Sequence, residues 1–221
     1  KRYRRQRQVV TDMNTRQDLN EMKYTNGLSR LVLGAAIILL TSCAGEIKQD
    51  AEVVQPKTEV EYVDVDSEVE EDFIRAVELM EQDKYAQAIE LLDSVVLREQ
   101  RLPAPYVNLG IAHNKLGDDK AAEENLVKAL KLEINHPVAN NERGLLYRRT
   151  GKFNAAKTAY QNALTKHPEF VPAIRNLGIL CDLYLHDYDC ALTQFENYME
   201  LVPDDKNAAI WVADVKRRLG Q

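Results

Sequence analysis

Long hydrophobic runs are scarce in this chain of 221 residues. The longest, Leu31 to Leu40, has ten residues and is too short to cross a bilayer. Cysteines number three, tryptophan occurs once, and aromatic residues make up 7%. The three cysteines include no Cys-x2-Cys pair and the four histidines no His-x3-His pair, so neither a thiol redox motif nor a metal site of that spacing is written into the chain. A nucleophile elbow, a phosphate-cradling glycine loop and a paired-carboxylate signature are also missing. These absences argue against a catalyst, and no catalytic residue, cofactor or metal is expected. The histidines read as packed or solvated groups: His113 at a packing position, His136 and His167 at helix ends, His186 in a turn.

What the chain does have is a period. Gly110, Gly144 and Gly178 lie 34 residues apart, and the same step links Ala88, Ala122 and Ala156; the next alanine, Ala191, falls one residue late. A fixed period of this length means stacked supersecondary units rather than one closed core. Apolar residues recur at three- and four-residue spacing, as in Ala121, Ala122, Leu126, Ala129 and Leu130, which is the stripe of a helix. Gly117 and Gly151 punctuate the helices at turns that ask for a positive φ. The register predicts an all-α solenoid with units at 69–102, 103–136, 137–170 and 171–205. Ser67 and Glu70 have the form of a capping box at its start. A closing helix follows near 207–219, with Ile210, Trp211, Val215 and Leu219 covering the fourth unit and Lys216, Arg217 and Arg218 facing water, within a capping segment 206–221.

Charge is divided unevenly. Residues 1–30 hold eight Lys/Arg against three Asp/Glu, whereas the rest hold 21 basic and 32 acidic residues. The acidic remainder is a poor partner for nucleic acid or anionic headgroups. Met22 to Ser42 has a basic start and an apolar centre, the build of a secretory signal, and runs into Leu40-Thr41-Ser42-Cys43-Ala44-Gly45. This stretch resembles the lipobox of bacterial lipoproteins. The resemblance implies lipidation at Cys43 and, since Ala44 replaces a retaining aspartate, the periplasmic face of the outer membrane. The alternative is a cleaved secretory signal followed by an ordinary cysteine. Residues 1–21 read as sequence upstream of a misplaced start, and a nucleic-acid-binding arm is the weaker option. From Ala44 to Glu68, eight acidic and two basic residues with little periodicity make segment 43–68 a solvated tether, about 80 Å when extended. A short strand around Val60, Tyr62, Val63 and Val65 is the alternative.

The repeats resemble the tetratricopeptide repeat family. The second unit supplies Tyr106, Leu109, Gly110, His113, Ala122, Leu126 and Ala129. The third supplies Gly144, Tyr147, Ala156, Tyr160, Ala163 and Pro168, but has Asn140 and Arg143 at the first two positions. The fourth supplies Ile174, Leu177, Gly178, Ala191, Phe195 and Pro203, and the first is degenerate, with Ala76, Ala88, Leu92 and Val95. The family binds peptides on its concave face. By register the resemblance places Val107, Ile111, Asn114 and Lys115 there, with Asn141, Leu145, Arg148 and Arg149, then Arg175, Ile179 and Asp182. That groove would hold an acidic segment or a C-terminal carboxylate through charge-assisted hydrogen bonds, or else be a solvated basic stripe. Cys181 and Cys190, nine residues apart across the turn of the fourth unit, are either a disulfide suited to an oxidising compartment or, for Cys181, a small buried filler.

These features together suggest a non-catalytic, lipid-anchored periplasmic adaptor for a protein or peptide partner. The layout is similar to small lipoproteins that assist pilus or secretin assembly, with cell-wall and TonB-type systems as other settings. A self-associating homo-oligomeric scaffold is the alternative, and an envelope enzyme the least supported.

Overall fold

The computed structural model describes residues 65–221. Residues 1–21, the signal 22–42, Cys43 and the tether as far as Asp64 lie outside the described residues. Nine α-helices follow one another among the described residues: α1 (Ser67–Glu81), α2 (Tyr85–Arg98), α3 (Pro103–Leu116), α4 (Asp119–Leu132), α5 (Pro137–Arg149), α6 (Phe153–Thr165), α7 (Val171–Leu180), α8 (Tyr188–Leu201) and α9 (Lys206–Arg218). They pair as four antiparallel hairpins with α9 packed on the last, an all-α solenoid.

Local chemistry accounts for the helix starts. Prolines occupy the first turn of α3, α5 and α7, where a missing N–H is harmless. Side chains of Asp118, Asp187 and Asp205 cap α4, α8 and α9 by accepting from backbone N–H groups. The expected capping box is displaced by one residue. Asp66, not Ser67, caps α1, accepting from the Glu68 amide at 2.8 Å, and Ser67 and Glu68 already belong to the helix rather than to the tether. His136 serves the helix that follows it, its Nδ1 accepting from the Ala139 amide at 3.3 Å.

The joint inside each hairpin repeats with the same period as the alanines. Its left-handed residue is Asp83 (φ 58°), Gly117 (80°), Gly151 (75°) and His186 (52°). The late step in the fourth unit comes from a π-helical turn, Cys181–Leu185, between α7 and α8. A π turn takes up an extra residue without breaking the hairpin. The disulfide Cys181–Cys190 spans this turn, with Cα atoms 5.9 Å apart.

Within the second, third and fourth units the helices approach through glycine. A Cβ on Gly110 would stand 2.6 Å from Leu126 Cγ, one on Gly144 would stand 2.4 Å from Tyr160 Cε1, and one on Gly178 would stand 2.6 Å from Phe195 Cε1. Ala88, Ala122, Ala156 and Ala191 are fully buried beside these contacts. Asn140, at an aromatic position of the family pattern, donates instead to the carbonyls of Ile134 (3.0 Å) and His136 (3.1 Å) and fastens the preceding turn. Arg143, at a leucine position, lies over the Tyr147 ring at 5.1 Å.

One apolar cluster joins α1–α4 and the start of α5, and a second joins the later units to α9. Trp211 closes the stack, its ring 5.4 Å from Phe195 and 5.6 Å from Tyr198. Ile210 does not share that role: it is 64% exposed on the far side of α9. The basic end of α9 is not merely solvated either. Lys216 reaches Glu196 at 2.9 Å, and Arg217 and Arg218 both pair with Asp214.

Candidate functional site

First helices of successive hairpins touch one another, α1 with α3, α3 with α5 and α5 with α7, and so form a continuous inner row. Two rows of helices in which one row is drawn together curve around that row, leaving a trough along it. The sequence-derived groove residues lie on these helices, except Asp182, which stands on the π-helical turn after α7, and the structure shows how each is engaged.

Val107 and Asn141 are buried in the floor, while Ile111, Leu145 and Ile179 are half-buried along it. Asn141 Oδ1 accepts from Asn176 Nδ2 at 2.9 Å, and its own Nδ2 donates to Glu142 Oε1 at 3.3 Å. Arg149 Nη2 donates to Asn114 Oδ1 and to Asp119 Oδ1, both at 2.5 Å. Arg149 and Asn114, both groove residues, therefore hold each other. Arg148 lies over the Tyr184 ring at 6.0 Å and Arg175 over Trp211 at 5.8 Å, both half-buried and each fixed by an aromatic face. Lys115 is exposed at the rim of α3.

Asp182 ends the row and is buried. Arg218 Nη1 of α9 donates to its Oδ1 at 2.5 Å. Burial pushes the Asp182 carboxyl above the usual carboxylate range, and the charge of Asp214 adds to this; Arg218 works in the opposite direction. Asp187, beside the disulfide, is held below that range by the ammonium of Lys157 at 2.8 Å and by the Cys190 amide.

The residues that sequence reasoning missed are Leu183, Tyr184 and Arg218. Leu183 and Tyr184 stand exposed on the π-helical turn, with Tyr184 4.9 Å from the Phe153 ring. The late Ala191 was their only sequence signal. Among the described residues, Cys181, Asp187 and Cys190 bring ligand atoms close enough to share an ion. The two sulfurs are bonded to each other in this structure, so they offer no thiolate.

Tetratricopeptide repeat models match residues 104–135 and 141–181. The chain carries tetratricopeptide repeats. The solved tetratricopeptide proteins that it resembles have the same architecture. PilF of Pseudomonas aeruginosa superposes with a TM-score of 0.63 at 18% identity, covering 69% of each chain. MamA of Desulfovibrio magneticus RS-1 gives 0.61 at 18%, over 71% of this chain and 88% of its own. A thermophilic tetratricopeptide protein of Thermus thermophilus, TTC0263, gives 0.58 at 22%, over 66% and 80%. Among curated proteins, the probable UDP-N-acetylglucosamine–peptide N-acetylglucosaminyltransferase SPINDLY of Petunia hybrida is 26% identical over 102 residues, 46% of this chain. That match spans 11% of the SPINDLY length. Tetratricopeptide repeats are typically non-catalytic surfaces for protein–protein interaction.

Proposed function

We propose that this tetratricopeptide repeat protein is a lipid-anchored adaptor of the bacterial envelope. Its inner trough holds an acidic segment or C-terminal carboxylate of a protein partner. The observation that carries the binding mode is the spacing of cations along one face: Lys115, Arg148 and Arg175 stand on α3, α5 and α7 in turn, with Leu145 and Ile179 between them. Two of these guanidiniums are already oriented by aromatic rings, so a ligand carboxylate meets donors that lose little freedom on binding. The chemistry is recognition, with no group transferred and no cofactor.

Support for the anchor is the Leu40-Thr41-Ser42-Cys43 run, and for the tether the acidic stretch behind it. Lipidated at Cys43, the protein would sit on the periplasmic face of the outer membrane and serve an envelope assembly of the pilus, secretion, cell-wall or TonB type. Fatty-acid labelling that disappears in Cys43→Ser supports the anchor, and labelling that persists removes it. For the groove, the test is capture of membrane partners by Arg148→Glu/Arg175→Glu. Capture should be lost with helicity intact, and unchanged capture contradicts the reading.

A second reading, a self-associating scaffold, draws on Ile210 and Ile74, exposed on the last and first helices at 64% and 46%. Solution mass at micromolar concentration separates the two, a monomer favouring the adaptor.

A further inference from the structure

The inner trough and the segment preceding α1 are complementary in charge and in pattern. Residues 50–64 carry Asp50, Glu52, Glu59, Glu61 and Asp64 against a single Lys57. Val53, Val54, Val60, Tyr62 and Val63 lie among these acids, so anionic and apolar side chains alternate. Lys115, Arg148 and Arg175 are set between the half-buried aliphatics Ile111, Leu145 and Ile179 in the same alternation. Arg149 is already turned onto Asp119 and Asn114 and contributes less.

The chain enters the fold at the start of α1, the first helix of the inner row. Val65 packs against the cluster that contains Val69, Phe73 and Val77 of α1, and Asp66 caps that helix. A fourteen-residue helix is about 21 Å long and neighbouring axes lie about 8–10 Å apart, so Arg148 on the third inner helix is about 25 Å from this entry point. Eight extended residues cover about 26 Å. Glu52 and Asp50, thirteen and fifteen residues before Val65, are therefore within reach, and no other copy of the chain is needed to supply them.

We propose that residues 50–64 bind in cis across the inner face, with their carboxylates on Arg148, Arg175 and Lys115, as an internal ligand that a partner must displace. This rests on the trough being the binding face. Tethering makes a weak ligand sufficient. A short intramolecular connection gives an effective concentration of about 1 mM, so a segment with Kd about 0.2 mM occupies the trough about five-sixths of the time and weakens an external ligand about sixfold. At about 0.15 M salt the attraction is screened beyond about 8 Å, so occupancy falls as ionic strength rises.

The decisive experiment uses the full chain in its membrane with Val54→p-benzoylphenylalanine, eleven residues before Val65 and so within about 36 Å of the entry point, irradiated and mapped by mass spectrometry. The expected result is an adduct within one chain to inner-face residues of α5 or α7, reduced at least fivefold by Arg148→Glu/Arg175→Glu or by 0.5 M salt. Adducts that miss that face, that form only between two chains, or that persist unchanged in the reversal variant overturn it. A companion measurement separates this proposal from the adaptor reading. A fluorescent Glu-Val repeat peptide should bind Glu52→Gln/Glu59→Gln/Glu61→Gln/Asp64→Asn at least threefold more tightly than the unaltered chain. Equal binding by both sinks the internal ligand while leaving the trough as a binding face. Binding by neither contradicts the adaptor reading, and the adduct map still decides the internal contact.

Discussion

Arg218 donates to Asp182 at 2.5 Å across 36 residues of sequence, joining the end of the last helix to the last position of the inner row. This bond places α9 against the fourth unit where the first helix of a further repeat would stand. It also keeps a buried carboxylate from being left alone, which matters more than the attraction itself.

Arg218→Ala should therefore destabilise the fold at pH 7, because it leaves the buried Asp182 carboxylate unpaired. Adding Asp182→Asn should recover part of the loss. Because the Asp182 carboxyl is raised by burial, its charged form is disfavoured by the fold. The loss in Arg218→Ala is then greatest above the raised pKa and shrinks as pH falls through it. Thermal melts of both variants from pH 4 to 8 check the sign.

Asp187 has the opposite sign. Its carboxyl is held low by Lys157 and the Cys190 amide, so its contribution is present above the unfolded pKa and is lost as pH falls below about 4. Asp187→Ala removes the α8 cap and should cost about 0.5–2 kcal/mol at neutral pH. It should also flatten the acid limb of a stability–pH curve.

The glycines between helices should tolerate nothing larger. Alanine favours a helix over glycine by about 1 kcal/mol. Even so, Gly144→Ala should destabilise by about 1–3 kcal/mol, because the new methyl meets the fully buried Tyr160 ring at 2.4 Å. Denaturant melts of Gly144→Ala and Gly144→Ala/Tyr160→Leu check it, the second change relieving part of the first.

At the hairpin joints the expected order is reversed. His186 holds a left-handed conformation that glycine adopts freely, so His186→Gly should be neutral or stabilising. Gly151→Ala, at the same position one unit earlier, should lose about 1 kcal/mol or more. Reducing Cys181–Cys190 should remove about 2–3 kcal/mol through the short loop that it closes. Calorimetry with and without reductant reads that loss.

The hairpins were legible because one contact recurs in three units. Gly110, Gly144 and Gly178 each face a large residue on the partner helix, Leu126, Tyr160 and Phe195, and a repeated packing requirement leaves a repeated letter. The late Ala191 showed that a residue had been inserted in the fourth unit, but not that a π-helical turn would absorb it and expose Leu183 and Tyr184. Groove positions could be listed from register, yet their pairings could not. Arg149 turns to Asn114 and Asp119, and Arg218 turns to Asp182, because the rotation between successive units brings residues 30 to 36 apart together. A period gives the spacing of that stack and not its twist. The one-residue error at the first cap has a local cause: aspartate and serine both cap well, and Asp66 and Ser67 are adjacent.

The most direct test is photo-crosslinking in the native membrane from two positions on the full chain. Lys115 lies exposed on the inner helix α3, and Glu124 lies exposed on the outer helix α4. A photoreactive residue at Lys115 should capture a protein partner, and one at Glu124 should not. Capture from Glu124 alone would contradict the account, since the binding face would then be the outer one.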